Sequence, residues 1–196
     1  MATRLDAQQR RASILAAAGQ LFAQVGYHRC RVSDVAARLG VTEPVVFQNF
    51  GSKAALYAAV LDDAAETLST GVRRHLDEGN SVTELLDEIL APGHLDHMHI
   101  PGSPGALFAD AVSLTAEPDV EAAARHGVRK VAQALAALLA HGQTTGEVSA
   151  DIDPPTGAWW LLSLMASHRF RSAVMPNRKQ MEANLATMAR AALTDR

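Results

Sequence analysis

Apolar side chains recur every three to four positions along nearly the whole chain, and no stretch alternates in the two-residue rhythm of a strand. Ile14, Leu15, Ala18, Leu21, Phe22 and Val25 mark a first helix that ends at Gly26-Tyr27. Val35, Ala36 and Leu39 mark a second, which Gly40 closes by supplying left-handed backbone. Val41 opens the contact to a third helix, with Thr42 as its cap and Pro44 in its first turn, where a missing N–H costs nothing. The small Ala36 lets the two short helices cross closely, so this segment reads as a helix-turn-helix. Gly51-Ser52-Lys53 then starts a long helix carrying Leu56, Val60, Leu61 and Leu68, closed by Gly79-Asn80. Ser81-Val82-Thr83-Glu84 is a capping box in front of Leu85, Leu86, Ile89 and Leu90. Three prolines and three glycines predict a loop over residues 92–105. Further helices are predicted over 106–114, 119–140, 155–174 and 177–193. The pattern specifies an all-α fold: a three-helix head with a helix-turn-helix over residues 1–52, then a body of five or six helices over 53–196, with 53–78 as the linking helix.

In helix-turn-helix proteins the second helix enters the major groove with its first residues while the preceding helix crosses the phosphates. Ile14 through Ala18, Leu21-Phe22-Ala23, Gly26-Tyr27, Val32 through Ala36, Gly40-Val41, Phe47, Phe50 and Ser52-Lys53 together resemble the N-terminal domain of the TetR family of transcriptional repressors. The resemblance covers about the first 60 residues. It implies a homodimer whose final two helices build the interface, an operator of double-stranded DNA as partner, and release by an unknown small-molecule effector. The family's hydroxyl residues are replaced by Cys30 and Arg31, its usual Tyr by Phe47 and its usual His or Tyr by Asn49. Arg31 therefore meets a phosphate as a charge, Phe47 keeps a ring for packing without an O–H donor, and Asn49 is a shorter donor. Ser33 offers only a hydroxyl where many relatives carry a base-reading Arg. Base reading then rests on Glu43, Pro44, Val45 and Gln48, with Gln48 suited to a bidentate pair with adenine and Val45 to a thymine methyl. Thr42 and Lys53 complete the predicted DNA-contacting set.

Charge sharpens this picture. The net charge is −3, which evenly spread would oppose DNA binding. Residues 1–60 instead carry +4, from Arg4, Arg10, Arg11, Arg29, Arg31, Arg38 and Lys53 against Asp6, Asp34 and Glu43, and the rest carries −7. A basic head on an acidic body directs one face toward phosphates. The 196 residues, 48% hydrophobic and 20% charged, suffice for one or two ordinary globular domains. Cys30 is the single cysteine, so no disulfide within the chain is expected and the thiol reads as a small packed group. No apolar run reaches the roughly 20 residues that span a bilayer. The segment from Met1 to Asp6 lacks a signal peptide's apolar stretch, so a cytoplasmic protein without membrane contact is expected.

In the body, Met181, Leu185, Met188 and Ala192 form a narrow helical stripe suited to pairing with a second copy. Trp160 is grouped with Met181, Leu185 and Met188 as the dimer seam, since the helix holding Trp159 and Trp160 is apolar on more than one face. One tryptophan is expected in the core. Leu107, Phe108, Ala111, Val112, Leu135, Leu138, Trp159 and Leu164 are the apolar candidates for a pocket taking a lipophilic effector. No catalytic constellation or cofactor motif stands out. The alternative reading is a metal-dependent enzyme or metal sensor using His94, His97 and His99 with Asp96 in one loop.

Overall fold

A computed structural model describes residues 6–114 and 116–194; Arg4, counted above in the basic head, lies outside the described residues. Among the described residues every regular element is a helix. They are α1 (Ala7–Arg29), α2 (Val32–Leu39), α3 (Glu43–Phe50), α4 (Lys53–Asp77), α5 (Val82–Leu90), α6 (Pro92–Met98), α7 (Pro104–Ala111), α8 (Pro118–Thr145), α9 (Pro154–Ala166), α10 (His168–Val174) and α11 (Arg178–Thr194). Close packing groups them into two units, Met1–Ala64 with Pro101–Gly127, and Ala65–Ile100 with Val128–Arg196. The long helices α4 and α8 each contribute residues to both units, so the packing units do not divide at residue 52.

In the first unit, α1 begins with a reciprocal cap: Asp6 accepts from the Gln9 N–H at 2.7 Å and Gln9 accepts from the Asp6 N–H at 3.2 Å. Gly26, at φ 78°, breaks the helical path where the apolar period ends. Ile14, Phe22, Val35, Val46, Leu56, Tyr57 and Leu61 are buried in one cluster, with the Phe22 and Tyr57 rings 4.6 Å apart. Cys30 lies in that cluster, and burial pushes its thiol pKa up, as suits a packed rather than reactive residue. Asp110 of α7 ties the cluster together, accepting from the Tyr27 N–H at 2.8 Å and from the Tyr57 hydroxyl at 2.9 Å. Burial first, then the neighbouring Asp110 charge, keeps that phenol protonated.

The second unit has its own core of Val82, Leu86, Leu90, Leu135, Leu138, Leu139, Leu161 and Leu193. Gly142 and Gly157 permit its close approaches: a Cβ would stand 2.5 Å from Val148 Cγ2 at the first and 2.8 Å from Leu139 Cδ1 at the second. Three expectations need correction here. Residues 92–105 are not one continuous loop: Pro92 and Pro104 each occupy the first turn of a helix, where proline is preorganised, and only residues 99–103 between them are non-helical. The helix expected over 155–174 breaks at Ser167 into α9 and α10. The body consequently contains more helices than the five or six expected, eight among the described residues after position 52.

The Ser81 capping box is also only half formed. The Ser81 hydroxyl accepts from the Glu84 N–H at 3.3 Å but donates to Glu147, which additionally accepts from the Thr83 N–H at 3.2 Å. The Ser81 hydrogen bond foremost holds the Glu147 carboxyl down at about 2, below its ordinary 4.5. A depressed folded-state value stabilises fully above the unfolded value and is lost as pH falls through the folded one. Glu147→Gln should therefore flatten the acid limb of the stability curve between about pH 4.5 and 2, where thermal melts of the parent protein fall more steeply.

Candidate nucleic-acid interface

The turn between α2 and α3 forms as the sequence demands. Gly40 sits at φ 66° and ψ 28°, its N–H returning to the carbonyls of Ala36 and Ala37, and the Val41 N–H bonds the Ala36 carbonyl at 3.0 Å. At the start of α2, Arg31 carries only donors and cannot accept from the helix; the Asp34 carboxylate reaches back to the Arg31 N–H at 3.3 Å. Thr42 occupies the cap position of α3, but its side chain makes no capping bond, contrary to expectation. The exposed hydroxyl therefore remains available to an outside partner.

Val46 and Phe50 anchor α3 in the core. Glu43, Pro44, Phe47 and Gln48 are exposed at spacings that place them on one side of the helix, while Val45 is half-buried. Phe47 is 39% exposed, so its ring lies on the open face rather than packing inside as expected. Asn49 is half-buried and its amide donates to the Val45 carbonyl at 2.7 Å, which commits one of the two N–H donors of the group assigned to phosphate. Ser33 is half-buried on α2 and Arg31 is exposed. Lys53 stacks its ammonium over the Tyr27 ring at 4.4 Å, a placement that positions the charge beside the start of α4. The Ser52 hydroxyl caps that helix by accepting from the Ala55 N–H at 3.0 Å.

Arg11 belongs to this face and escaped the sequence-based site assignment. Its guanidinium lies 4.0 Å from the centre of the Phe50 ring and donates to the Asn49 carbonyl, satisfying a carbonyl at the end of α3. The contact joins residues 38 positions apart, so only the packing of α1 on the motif reveals it.

The other predicted sites are placed less uniformly. Leu107 and Ala111 are core residues of the first unit with Phe108 packed against them, whereas Leu135 and Leu138 are core of the second with Leu164 against it. Val112 and Trp159 are 56% and 47% exposed. Trp160 is also exposed, so neither tryptophan is buried in the protomer. Met181 and Met188 are exposed and Leu185 is half-buried; Phe170 and Val174 of α10 extend the exposed apolar surface and were not anticipated. His94 and His97 lie on α6, and the His99 ring Nδ1 donates to the Leu95 carbonyl at 2.8 Å. Among the described residues no group of three histidine, cysteine or acidic side chains is arranged to hold a metal ion, and the expected histidine loop is corrected to a helix carrying His94 and His97 with His99 at its C-terminal cap.

The model of the family described as "Bacterial regulatory proteins, tetR family" matches residues 14–60, the segment from the core of α1 into α4. The chain is similar to the HTH-type transcriptional activator FasR of Mycolicibacterium smegmatis, 42% identical over 37% of this chain and 33% of that protein. It is also similar to the A-factor receptor protein of Streptomyces griseus, 27% identical over 97% of this chain and 64% of that protein. The chain thus spans about a third of the first relative's length and under two thirds of the second's. A solved transcriptional regulator from Saccharomonospora viridis in complex with choline shares the fold, with a TM-score of 0.74, 20% identity, and coverage of 96% of this chain and 100% of that one. The likeness to the tetR family of bacterial regulatory proteins is thus carried by residues 14–60, the N-terminal segment of this chain.

Proposed function

We propose that this protein is a DNA-binding transcriptional regulator rather than an enzyme, a homodimer that represses from a palindromic operator and is released by a small molecule. The observation that carries the reading is α3: two buried anchors, Val46 and Phe50, hold a helix whose exposed side presents Glu43, Pro44 and Gln48, within the segment that matches the family. Residues 1–52 act as the DNA-binding part and 53–196 as the effector and dimerisation part, with α4 continuing the chain from one to the other. Among the described residues no helix is long and apolar enough to cross a membrane, which supports a cytoplasmic site of action. The exposed apolar residues of α9, α10 and α11 support dimerisation through those helices. A ligand releases DNA only by preferring a conformation whose two recognition helices no longer match successive major grooves about 34 Å apart.

Titration of operator DNA across salt concentrations tests the reading. Lys53→Ala should weaken binding to every sequence and lower the log K against log salt slope by about one unit. Gln48→Ala should instead cost about 1–3 kcal/mol on the operator alone and relax the base preference. Equal losses on operator and random DNA for both variants would remove Gln48 from base reading, and no DNA binding by the parent protein would reject the regulator assignment.

A further inference from the structure

A surface cavity of about 320 Å³ opens in the second unit where α6, α10 and α11 meet, and it is not lined by any of the residues expected to hold an effector. Arg169, Ser172 and Ala173 come from α10, Arg178 from the start of α11, and Asp96, His99 and Ile100 from the end of α6 and the residues after it. Beneath them the buried His168 places Nε2 2.9 Å from Asp96 Oδ1 and 3.2 Å from the Ser172 hydroxyl. Arg178 donates to the same Asp96 oxygen. The chain's own carboxylate thus rests at the mouth of a basic cavity, held by a guanidinium and an imidazole on one oxygen and about half exposed.

We infer that this cavity is a binding site for a small amphipathic carboxylate, with Arg178 and Arg169 taking the anionic head, Ile100 and Ala173 receiving a short apolar tail, and Asp96 acting as the built-in competitor. The arginine count exceeds the acid count: Asp96 balances one guanidinium, and Arg169 adds a second charge at an exposed position. A guanidinium matches a carboxylate with two parallel donors, which is why such an excess selects planar oxyanions. The His99 Nδ1–H is spent on the Leu95 carbonyl, and burial foremost lowers its pKa against the opposing effect of that hydrogen bond, with the charges of His168, Arg169 and Arg171 adding to the lowering. The part of the shift that comes from these charges, unlike the part from burial, marks a local potential that favours an anion. Ile100, 47% exposed despite its size, gives the tail an apolar surface to cover.

The inference goes beyond the proposed function and is tested without DNA, so its failure leaves the regulator assignment standing. Hexanoate and inorganic phosphate are titrated into the intact protein at constant ionic strength by calorimetry, with thermal melts confirming that each variant folds. Hexanoate should bind saturably, Asp96→Asn should tighten it by about fivefold to tenfold by removing the competing charge, and Arg178→Gln and Arg169→Gln should each weaken it. Arg169→Gln is the safer of the two, because Arg178 also holds Asp96 in place. The site is overturned by an absence of saturable hexanoate binding to both the parent protein and Asp96→Asn. It is equally overturned if neither arginine substitution changes affinity, or if phosphate binds as well as hexanoate, which makes the cavity an undiscriminating basic surface.

Discussion

Arg171→Ala should destabilise the protein by about 3–5 kcal/mol, because it leaves a buried carboxylate with only the His168 ring, 3.5 Å away, beside it. Glu182 is only 2% exposed and receives Arg171 bidentately, Nε to Oε1 at 2.9 Å and Nη2 to Oε2 at 3.1 Å. Burial raises the pKa of Glu182, and the Arg171 hydrogen bonds and charge outweigh that to leave it lowered. The remaining Arg171 donors reach the Leu164 carbonyl at 2.7 Å and the Ser167 hydroxyl at 2.6 Å. One guanidinium therefore ties the end of α9 and α10 to α11 at the break in the helix expected over 155–174. Replacing both charges, Arg171→Met with Glu182→Leu, should recover most of the loss, since a buried pair often does no better than well-packed apolar groups. Urea unfolding of the single and double variants checks this. A loss under about 1 kcal/mol for Arg171→Ala would mean that Glu182 finds water or another partner.

Met188→Glu should convert the proposed dimer to monomer and lower operator affinity by a factor of about 10² to 10⁴, the gain that linking two half-site readers confers. Met188 is 66% exposed on α11, so a carboxylate there costs the isolated protomer little and would be buried unpaired in a seam between copies. Leu185→Glu is a less selective probe because Leu185 is already half-buried within its own chain. Light scattering gives the mass and a band-shift titration the affinity. An unchanged dimer mass for Met188→Glu would move the interface off α11, and monomers that bind the operator as tightly as the parent would remove the two-fold reading of DNA.

The residues expected at a dimer seam illustrate what a periodic pattern specifies and what it does not. Met181, Leu185 and Met188 share a helical stripe, yet Leu185 is half-buried while the two methionines are open. Periodicity ranks residues by side of the helix, and burial depends on which neighbour arrives there. Trp159 and Trp160 show the same limit, since a helix apolar on several sides suggests a core tryptophan and both rings are exposed in the protomer.

Local chemistry was readable from the chain wherever one residue type satisfies a backbone requirement. Gly40 at φ 66°, Gly79 at φ 71°, Ser52 as a cap and Pro44 in a first turn all appear where the sequence places them, because turn and cap energetics act over four or five residues. The helix-turn-helix and the basic head follow from such local signals together with charge counting. Proline misled over 92–105 because it both breaks a helix and begins one, and only the flanking contacts decide between the two. Pairings across tens of residues belonged to the tertiary structure alone. Arg11 against the Asn49 carbonyl, Asp110 against the Tyr27 N–H and the Tyr57 hydroxyl, and Asp96 between His168 and Arg178 join residues whose separation carries no periodic signal, and each depends on packed helices that supply both partners at hydrogen-bond distance.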